Sequence, residues 1–522
     1  MRTKRRHIQI LLLALCTVAF GPTALSARHV SITILHTTDL HGRILPTRDY
    51  DGTDNVGGLL RCATAIEQLR AEEPNLLLVD GGDLYQGTLA SFMTRGQLMN
   101  DALAWLGYDA WVLGNHEFDW GVEVLSAAVE GSAVPVLGAN VGARPGADNP
   151  LSSVQPFVIR EVDGVRVALV GLTTDAIPNW SRRHLLGDIV ITDSVEALQA
   201  VLPQVRAARP DVMVLLIHQG YRPFGDSPAN QINRIARQFP EFDLIVGGHS
   251  HQPVDGVLVN GILYSQAGYY GIWLGKVRLV YDTVTRSVEE RHAQLIHIAD
   301  TYEPHEGLRA ALRGDLERAE KAAAVELGSV TEALETRSRA TGQSGIQTLI
   351  CRAVAEASGA EIVLHGTLSG EGLSPGAVYE RDVWRIVPYE NTIGVVQISV
   401  AELQEILEDN ADLLGGSQFM GVHGVQYDLH AYAEPGRRIR NVRRADGSSI
   451  HPRTRLRVAM NSYVLASGGG RFPAARRIAD EPMSRLVMTG IDTRAAVRDY
   501  MRRHSPLAIE VQDAVRLLRS PE

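Results

Sequence analysis

Residues 110–121 read Ala-Trp-Val-Leu-Gly-Asn-His-Glu-Phe-Asp-Trp-Gly. The apolar run Ala110–Leu113 stops at Gly114. Asn115, His116, Glu117 and Asp119 follow almost without interruption. A short apolar run cut off by glycine reads as a buried strand that empties into a loop. The figure recurs along the first half of the chain. Ser31–His36 leads into Asp39-Leu40-His41, and Leu76–Asp80 into Gly82-Asp83. Val212–Ile217 leads into His218, and Leu244–Val246 into Gly247-Gly248-His249-Ser250-His251. Two more runs, Val134–Gly138 and Val165–Gly171, lack the polar ending.

Between the runs lie amphipathic stretches, Gly57–Ala71, Arg95–Leu106, Val122–Val129, Val195–Ala208 and Asn230–Gln238, which read as helices. Strands alternating with helices imply an α/β domain with mostly parallel pairing. In such sheets ligands gather beyond the carboxyl ends of the strands. The five polar clusters, remote in sequence, are therefore expected at one spot. Gly261–Tyr281 reads as strand–turn–strand closing an antiparallel edge. The Ala-, Glu- and Arg-rich stretch from Glu306 to Leu327 reads as a solvated helix joining two domains. A second domain then runs from about 329 to the end, with helices at Gly345–Ala357 and Val400–Asn410. Its strands fall near Ile393–Ile398, Gly424–Leu429 and Arg455–Met460.

The expected meeting point holds two aspartates, an asparagine and four or five histidines. Neutral imidazole with carboxylate suits zinc, manganese, iron, cobalt or nickel. The donors exceed what one ion needs. An aspartate can bridge two cations through its two oxygens, and Asp83 is placed to do so, giving a two-metal site.

The strings HTTDLHG (36–42), DGGDLYQG (80–87), GNHEFDWG (114–121) and GGHSH (247–251) resemble the secreted 5′-nucleotidase family of the calcineurin-like metallophosphoesterase superfamily. The resemblance implies a four-layer αββα dimetal domain over 28–302 and a linker helix over 303–328. It also implies an α+β substrate-binding domain over 329–522. Matched by motif, Asp39, His41, Asp83 and His251 would hold one divalent ion. Asp83, Asn115, His218 and His249 would hold the other. His116 and Asp119 match the family's catalytic pair. The chemistry implied is release of phosphate from a nucleotide by a hydroxide bridging two metals, which lower the pKa of bound water. His116 would protonate the leaving oxygen or stabilise developing charge. Glu117 reads as a solvated or supporting carboxylate.

In the C-terminal half the resemblance implies a base clamp of two rings. Gln418-Phe419-Met420-Gly421-Val422 and the segment Asn461–Phe472 match the segments that carry them, and Val387–Thr392 matches a further family string. Other positions depart. An Asn-x-Gly-Gly-Ile-Arg string is absent where Leu364-His365-Gly366-Thr367-Leu368-Ser369 stands, so an asparagine and an arginine are missing. Gly470 replaces the family's aspartate. Arg337 and Arg339 are left as candidates for holding phosphate. These departures leave a UDP-sugar, a 2′,3′-cyclic nucleotide or another phosphoester open as substrate. A related thiosulfohydrolase is disfavoured because the Asn115-His116 pair is kept. A ligand-binding protein without turnover is disfavoured by the intact donor set.

Composition bounds these readings. The chain has 522 residues, 45% hydrophobic and 21% charged, with a net charge of −9. That excludes disordered and collagen-like classes, and it argues against a nucleic-acid polymer as partner. The partner expected is a small phosphoester, most naturally a nucleotide. Arg2, Lys4, Arg5 and Arg6 precede the 13-residue apolar run Ile8–Phe20 and the small residues at Ala24–Ala27. This is the pattern of a secretory signal over 1–27. It predicts a periplasmic or secreted protein with no stable membrane span after cleavage. Cys62 and Cys351, almost 300 residues apart, give no disulfide framework.

Overall fold

The structure is a computed structural model, and it describes residues 28–336, 343–511 and 514–520. Two six-stranded sheets build the N-terminal domain. In the first, the strand His29–Thr37 lies between Leu76–Asp80 on one side and Trp273–Asp282 on the other. Ala110–Val112 and Val136–Leu137 extend the parallel half, and Ser287–His297 closes the antiparallel edge. The second sheet runs Pro253–Val259, Ile262–Ala267, Leu244–Val246, Val212–Ile217, Val165–Leu172, Phe157–Val162.

Period-two alternation decides which side chain enters which layer. Leu77 and Val79 point between the sheets, where they meet Val212, Val214 and Leu216. Leu78, between them in sequence, points outward to helices Leu59–Glu72 and Gln97–Leu106. On the far side, Met213, Leu215 and Ile217 pack against Ser194–Ala207 and Ile232–Gln238. The result is a helix–sheet–sheet–helix sandwich. Strands buried on both faces read as unbroken apolar runs, which is why they are visible in the sequence.

The C-terminal domain is built on a mixed sheet of five strands, in the order Gly421–His423, Ile362–His365, Leu456–Asn461, Thr392–Ile398, Val487–Asp492. Helices Gly345–Ser358 and Thr493–His504 pack against one core, and Val400–Ala411 with Pro473–Asp480 against another. Ser344 with Gln347, and Ser399 with Glu402, form capping boxes that start two of these helices.

Two expectations are corrected. Ile262–Ala267 and Trp273–Asp282 do not pair with each other. The first joins the second sheet beside Leu244–Val246, and the second crosses to the first sheet beside His29–Thr37. The turn at 268–272 thus passes from one sheet to the other, and the antiparallel hairpins form with Pro253–Val259 and Ser287–His297 instead. The connector is also not one helix. It breaks at Leu312 into Glu306–Ala311 and Arg313–Ala323. Leu327, only 3% exposed, already belongs to the strand Glu326–Val330, which pairs with Gly376–Tyr379. A buried leucine ends the solvated stretch.

Candidate functional site

The carboxyl ends of both sheets open on one side of the sandwich, and the five polar clusters lie there. Asp39, His41, Asp83 and His251 bring one donor atom each within 4.8 Å of one another, and so do Asp83, His218 and His249. Asp83 belongs to both groups. His41 Nε2 lies 3.1 Å from His251 Nε2, and His251 Nε2 lies 3.3 Å from Asp39 Oδ1. His218 Nε2 lies 3.1 Å from Asp83 Oδ2.

The loops reach this geometry by costly local conformations. Asp39, His41, Asp83, His249 and His251 all have positive φ, at 51°, 49°, 55°, 71° and 54°. A side chain other than glycine in that region costs about 1–3 kcal/mol, and such residues cluster at functional sites. Gly114 answers a steric demand. A Cβ there would lie 2.2 Å from Asp83 Oδ1.

Backbone carbonyls orient the imidazoles. His41 Nδ1 donates to Gln86 O at 2.9 Å, and His218 Nδ1 to Gly81 O at 2.7 Å. A carbonyl can only accept, so the Nε2 atoms face inward, the usual arrangement behind a metal-binding histidine. Glu117 is neither solvated nor a donor to the cluster. It is 2% exposed and accepts from the amides of Asp83, Leu84, Tyr85 and Gly114, tying two of the site loops together. Its place in the 114–121 string was its only sequence signal.

Does this donor set fit divalent cations? Asn115 Oδ1 is fully buried with no hydrogen-bond partner among the described residues, and the buried His218 Nε2 has the Asp83 carboxylate 3.1 Å away. Polar atoms so placed are costly unless a ligand satisfies them. Burial pushes the imidazoles of His41 and His249 down to about 3, which keeps them neutral and able to ligate. Burial opposes the charge on Asp83, but His218 and His116 hold its carboxyl well below the usual range. Neutral imidazole at His41 and His249, ionised carboxylate and one amide oxygen suit two ions of the zinc, manganese, iron, cobalt or nickel type.

Beside the donors, His116 Nδ1 donates to Asp119 Oδ2 at 2.6 Å. Burial disfavours charge on this imidazole, but Asp119 and Asp83 outweigh it and raise His116 to about 10. The amide of His116 also donates to Asp83 Oδ1 at 2.8 Å, so its backbone is held by the shared carboxylate.

The C-terminal domain straddles the site and touches the N-terminal domain on either side of it. On one side Gln86 Nε2 donates to Pro388 O at 2.6 Å, and Trp384 meets Phe92 edge-on at 5.4 Å. Arg494, paired with Glu390 at 2.8 Å, stacks 3.3 Å from the Trp384 ring centre. On the other side Ser467 Oγ donates to Asn179 O, and Arg182 reaches Leu465 O and Asp480. Between the two contacts opens a cavity of about 1190 Å³. His41, His116 and His251 line its floor, and Trp384 and Tyr389 its far wall.

The C-domain candidates fall elsewhere. Phe419 and Phe472 are 4% and 2% exposed and belong to a core cluster of that domain, so neither ring offers a free face to a base. The cause is local. Gly468, Gly469 and Gly470, at φ 55°, 70° and 88°, turn the chain so that Phe472 folds back under Gly468. His365, where the family string is lost, is a buried strand residue within 3.2 Å of both Asn461 Nδ2 and Thr493 Oγ1. Arg337 and Arg339 lie outside the described residues. Tyr389, inside the 387–392 string quoted above, stacks on His116.

Comparison with known proteins agrees with this architecture. Residues 32–253 match the calcineurin-like phosphoesterase family, and residues 323–477 match the 5′-nucleotidase C-terminal domain. The rat protein named 5′-nucleotidase is 34% identical over 248 residues, 46% of this chain and 41% of that one. Protein UshA of Yersinia enterocolitica is 26% identical over 522 residues, 91% of this chain and 92% of that one. A putative 5′-nucleotidase from Staphylococcus aureus shares the fold with a TM-score of 0.80 at 20% identity, over 94% of this chain and all of that one. The chain spans only 41%, 32% and 41% of the length of three of the relatives it matches. Both domains and their order agree: the chain carries a calcineurin-like phosphoesterase domain followed by a 5′-nucleotidase-type C-terminal domain.

Proposed function

We propose that this protein is a dimetal phosphohydrolase that releases phosphate from nucleotides outside the cytoplasm. The observation that carries the reading is the pair of donor clusters sharing Asp83, with His116–Asp119 beside them on the floor of the interdomain cavity. Residues 28–302 would supply the metals and the general acid, and residues 329–522 the opposite wall.

Two divalent cations held there would neutralise phosphoryl oxygens and lower the pKa of bound water. Asp39, His41, Asp83 and His251 would hold one, and Asp83, Asn115, His218 and His249 the other. The protein's own groups do the rest. Asp119 fixes the proton on His116 Nδ1, which leaves Nε2 to hydrogen-bond the phosphoryl group or pass a proton to the leaving oxygen. The overhanging 384–391 segment narrows access of water to the ester. Export rests on the basic, apolar and small-residue pattern of 1–27, which lies outside the described residues. No helix among the described residues is long and apolar enough to cross a membrane.

The test is turnover by purified protein of AMP, a UDP-sugar, a 2′,3′-cyclic nucleotide and a thiosulfate conjugate, with and without Mn²⁺ or Zn²⁺. Metal-dependent phosphate release from AMP is expected. Turnover of the thiosulfate conjugate alone, or of nothing, would overturn the reading.

A further inference from the structure

The described residues hold a third group of donors, remote from the two that share Asp83. His29, Asp282 and Glu289 bring one ligand atom each within 4.8 Å of one another. His29 opens the nine-residue strand whose other end leads into Asp39. At about 3.3 Å per residue the group stands roughly 26 Å from that end, at the opposite pole of the sheet.

Sheet geometry assembles the group. His29 sits directly across from Asp282, and directly opposed residues project from the same face. Their chain neighbours Val30 and Tyr281 point between the sheets, so this pair points outward. On the third strand a bulge interrupts the register between the pairs Val280–Glu290 and Tyr281–Val288, which leaves Glu289 unpaired. Bulges re-aim side chains, and this one turns Glu289 toward His29.

The distances do not describe an ordinary ion pair. His29 Nε2 lies 3.5 Å from Asp282 Oδ2 and 3.3 Å from Glu289 Oε2. A charge-assisted N–H···O bond closes to about 2.7–2.9 Å, and a single Nε2 proton can serve only one of the two carboxylates. A tetrahedral ion bound at about 2.0–2.2 Å to nitrogen and oxygen sets its donors about 3.3–3.6 Å apart, and serves both. Asp282 Oδ1 already accepts from the amides of Val284 and Thr285, at 2.6 and 3.2 Å, so Oδ2 is the oxygen left for the group. Arginines nearby in the chain have carboxylates of their own: Arg28 pairs with Asp163, Arg286 with Asp211 and Arg291 with Asp243. Two carboxylates and one imidazole are thus left to be balanced by a cation from solution.

We infer that His29, Asp282 and Glu289 form a further divalent-cation site of the zinc type, which clasps the first strand to the hairpin strands beside it. Imidazole with carboxylate oxygens suits such an ion. His29 and Glu289 are half-exposed, so water completes the coordination on the open side. The site goes beyond the phosphohydrolase reading and does not depend on it.

Elemental analysis of the full chain after dialysis against excess zinc tests this, with wild type beside His29→Ala and the near-isosteric Glu289→Gln. His297→Ala, which removes another histidine of the same hairpin, is the control. Wild type should hold about three equivalents, one per donor group, and each triad variant about one fewer, with the control unchanged. Zinc should also raise the melting temperature of wild type further than that of His29→Ala, because a cation bound only by the folded chain stabilises it. Equal zinc content in wild type and His29→Ala, an equal loss in His297→Ala, or the same gain in melting temperature for wild type and His29→Ala would each overturn the inference. A wild type holding only the equivalent that His29→Ala lacks would keep this site and sink the dimetal reading instead.

Discussion

The Tyr389 ring of the C-terminal domain lies over the His116 imidazole of the N-terminal domain, with ring centres 5.7 Å apart and planes inclined at 20°. An element of one domain thus bears on the proposed acid–base group of the other. The 384–391 segment that carries Tyr389 is anchored twice, by Gln86 and by Arg494. Chemistry at His116 and docking of the two domains are physically linked.

His116 is the group whose loss should fall on the chemical step while sparing the metals. A positioned acid–base side chain contributes about 10²–10⁴-fold. His116→Asn is expected to lower kcat on AMP by that order, with metal content unchanged by elemental analysis. Asp119→Asn should give a smaller loss of kcat, because it leaves the imidazole in place and removes only its orienting acceptor.

Metal content should depend on a residue that supplies no donor. Gly114→Ala places a Cβ 2.2 Å from Asp83 Oδ1 and would displace the shared carboxylate. Elemental analysis should then find both ions reduced, as in Asp83→Ala, whereas His251→Ala should weaken one ion more than the other. Full occupancy in Gly114→Ala would show that the loop yields and that Asp83 is less constrained than its contacts imply.

The anchor at Glu390 makes a stability prediction. Arg494 and Glu390 side chains are 4% and 6% exposed, and Arg494 Nε also donates to Val387 O at 2.8 Å. Removing one partner of a buried pair costs about 3–5 kcal/mol, because the other charge is left uncompensated. Arg494→Leu should lower unfolding stability in urea by that order. The double variant Arg494→Leu/Glu390→Leu should recover part of the loss.

Phe419 and Phe472 should behave as core residues. Truncating a buried phenylalanine costs about 3–5 kcal/mol. Phe472→Ala is expected to lower the melting temperature while leaving KM for AMP near the wild-type value. A raised KM at unchanged stability would return these rings to the substrate.

The N-terminal domain was legible because its strands are buried on both faces and therefore appear as pure apolar runs. The runs Val212–Ile217 and Leu244–Val246 coincide with the strands residue for residue. Hairpin partners were harder. Strands such as Ser287–His297, with one solvated edge, carry mixed patterns, and a turn such as 268–272 does not say which sheet the chain enters next.

Which residue types end which strands can be read along the chain, since glycine and the polar donors follow each run directly. That Glu117 is a buried brace, that Phe419 and Phe472 belong to the core, and that Tyr50 and Tyr389 lie beside His251 and His116 follows from the packing of distant segments. Strand periodicity is a local property that a few residues express. The surroundings of a loop side chain depend on segments hundreds of positions away, and no local pattern encodes which of them will pack against it.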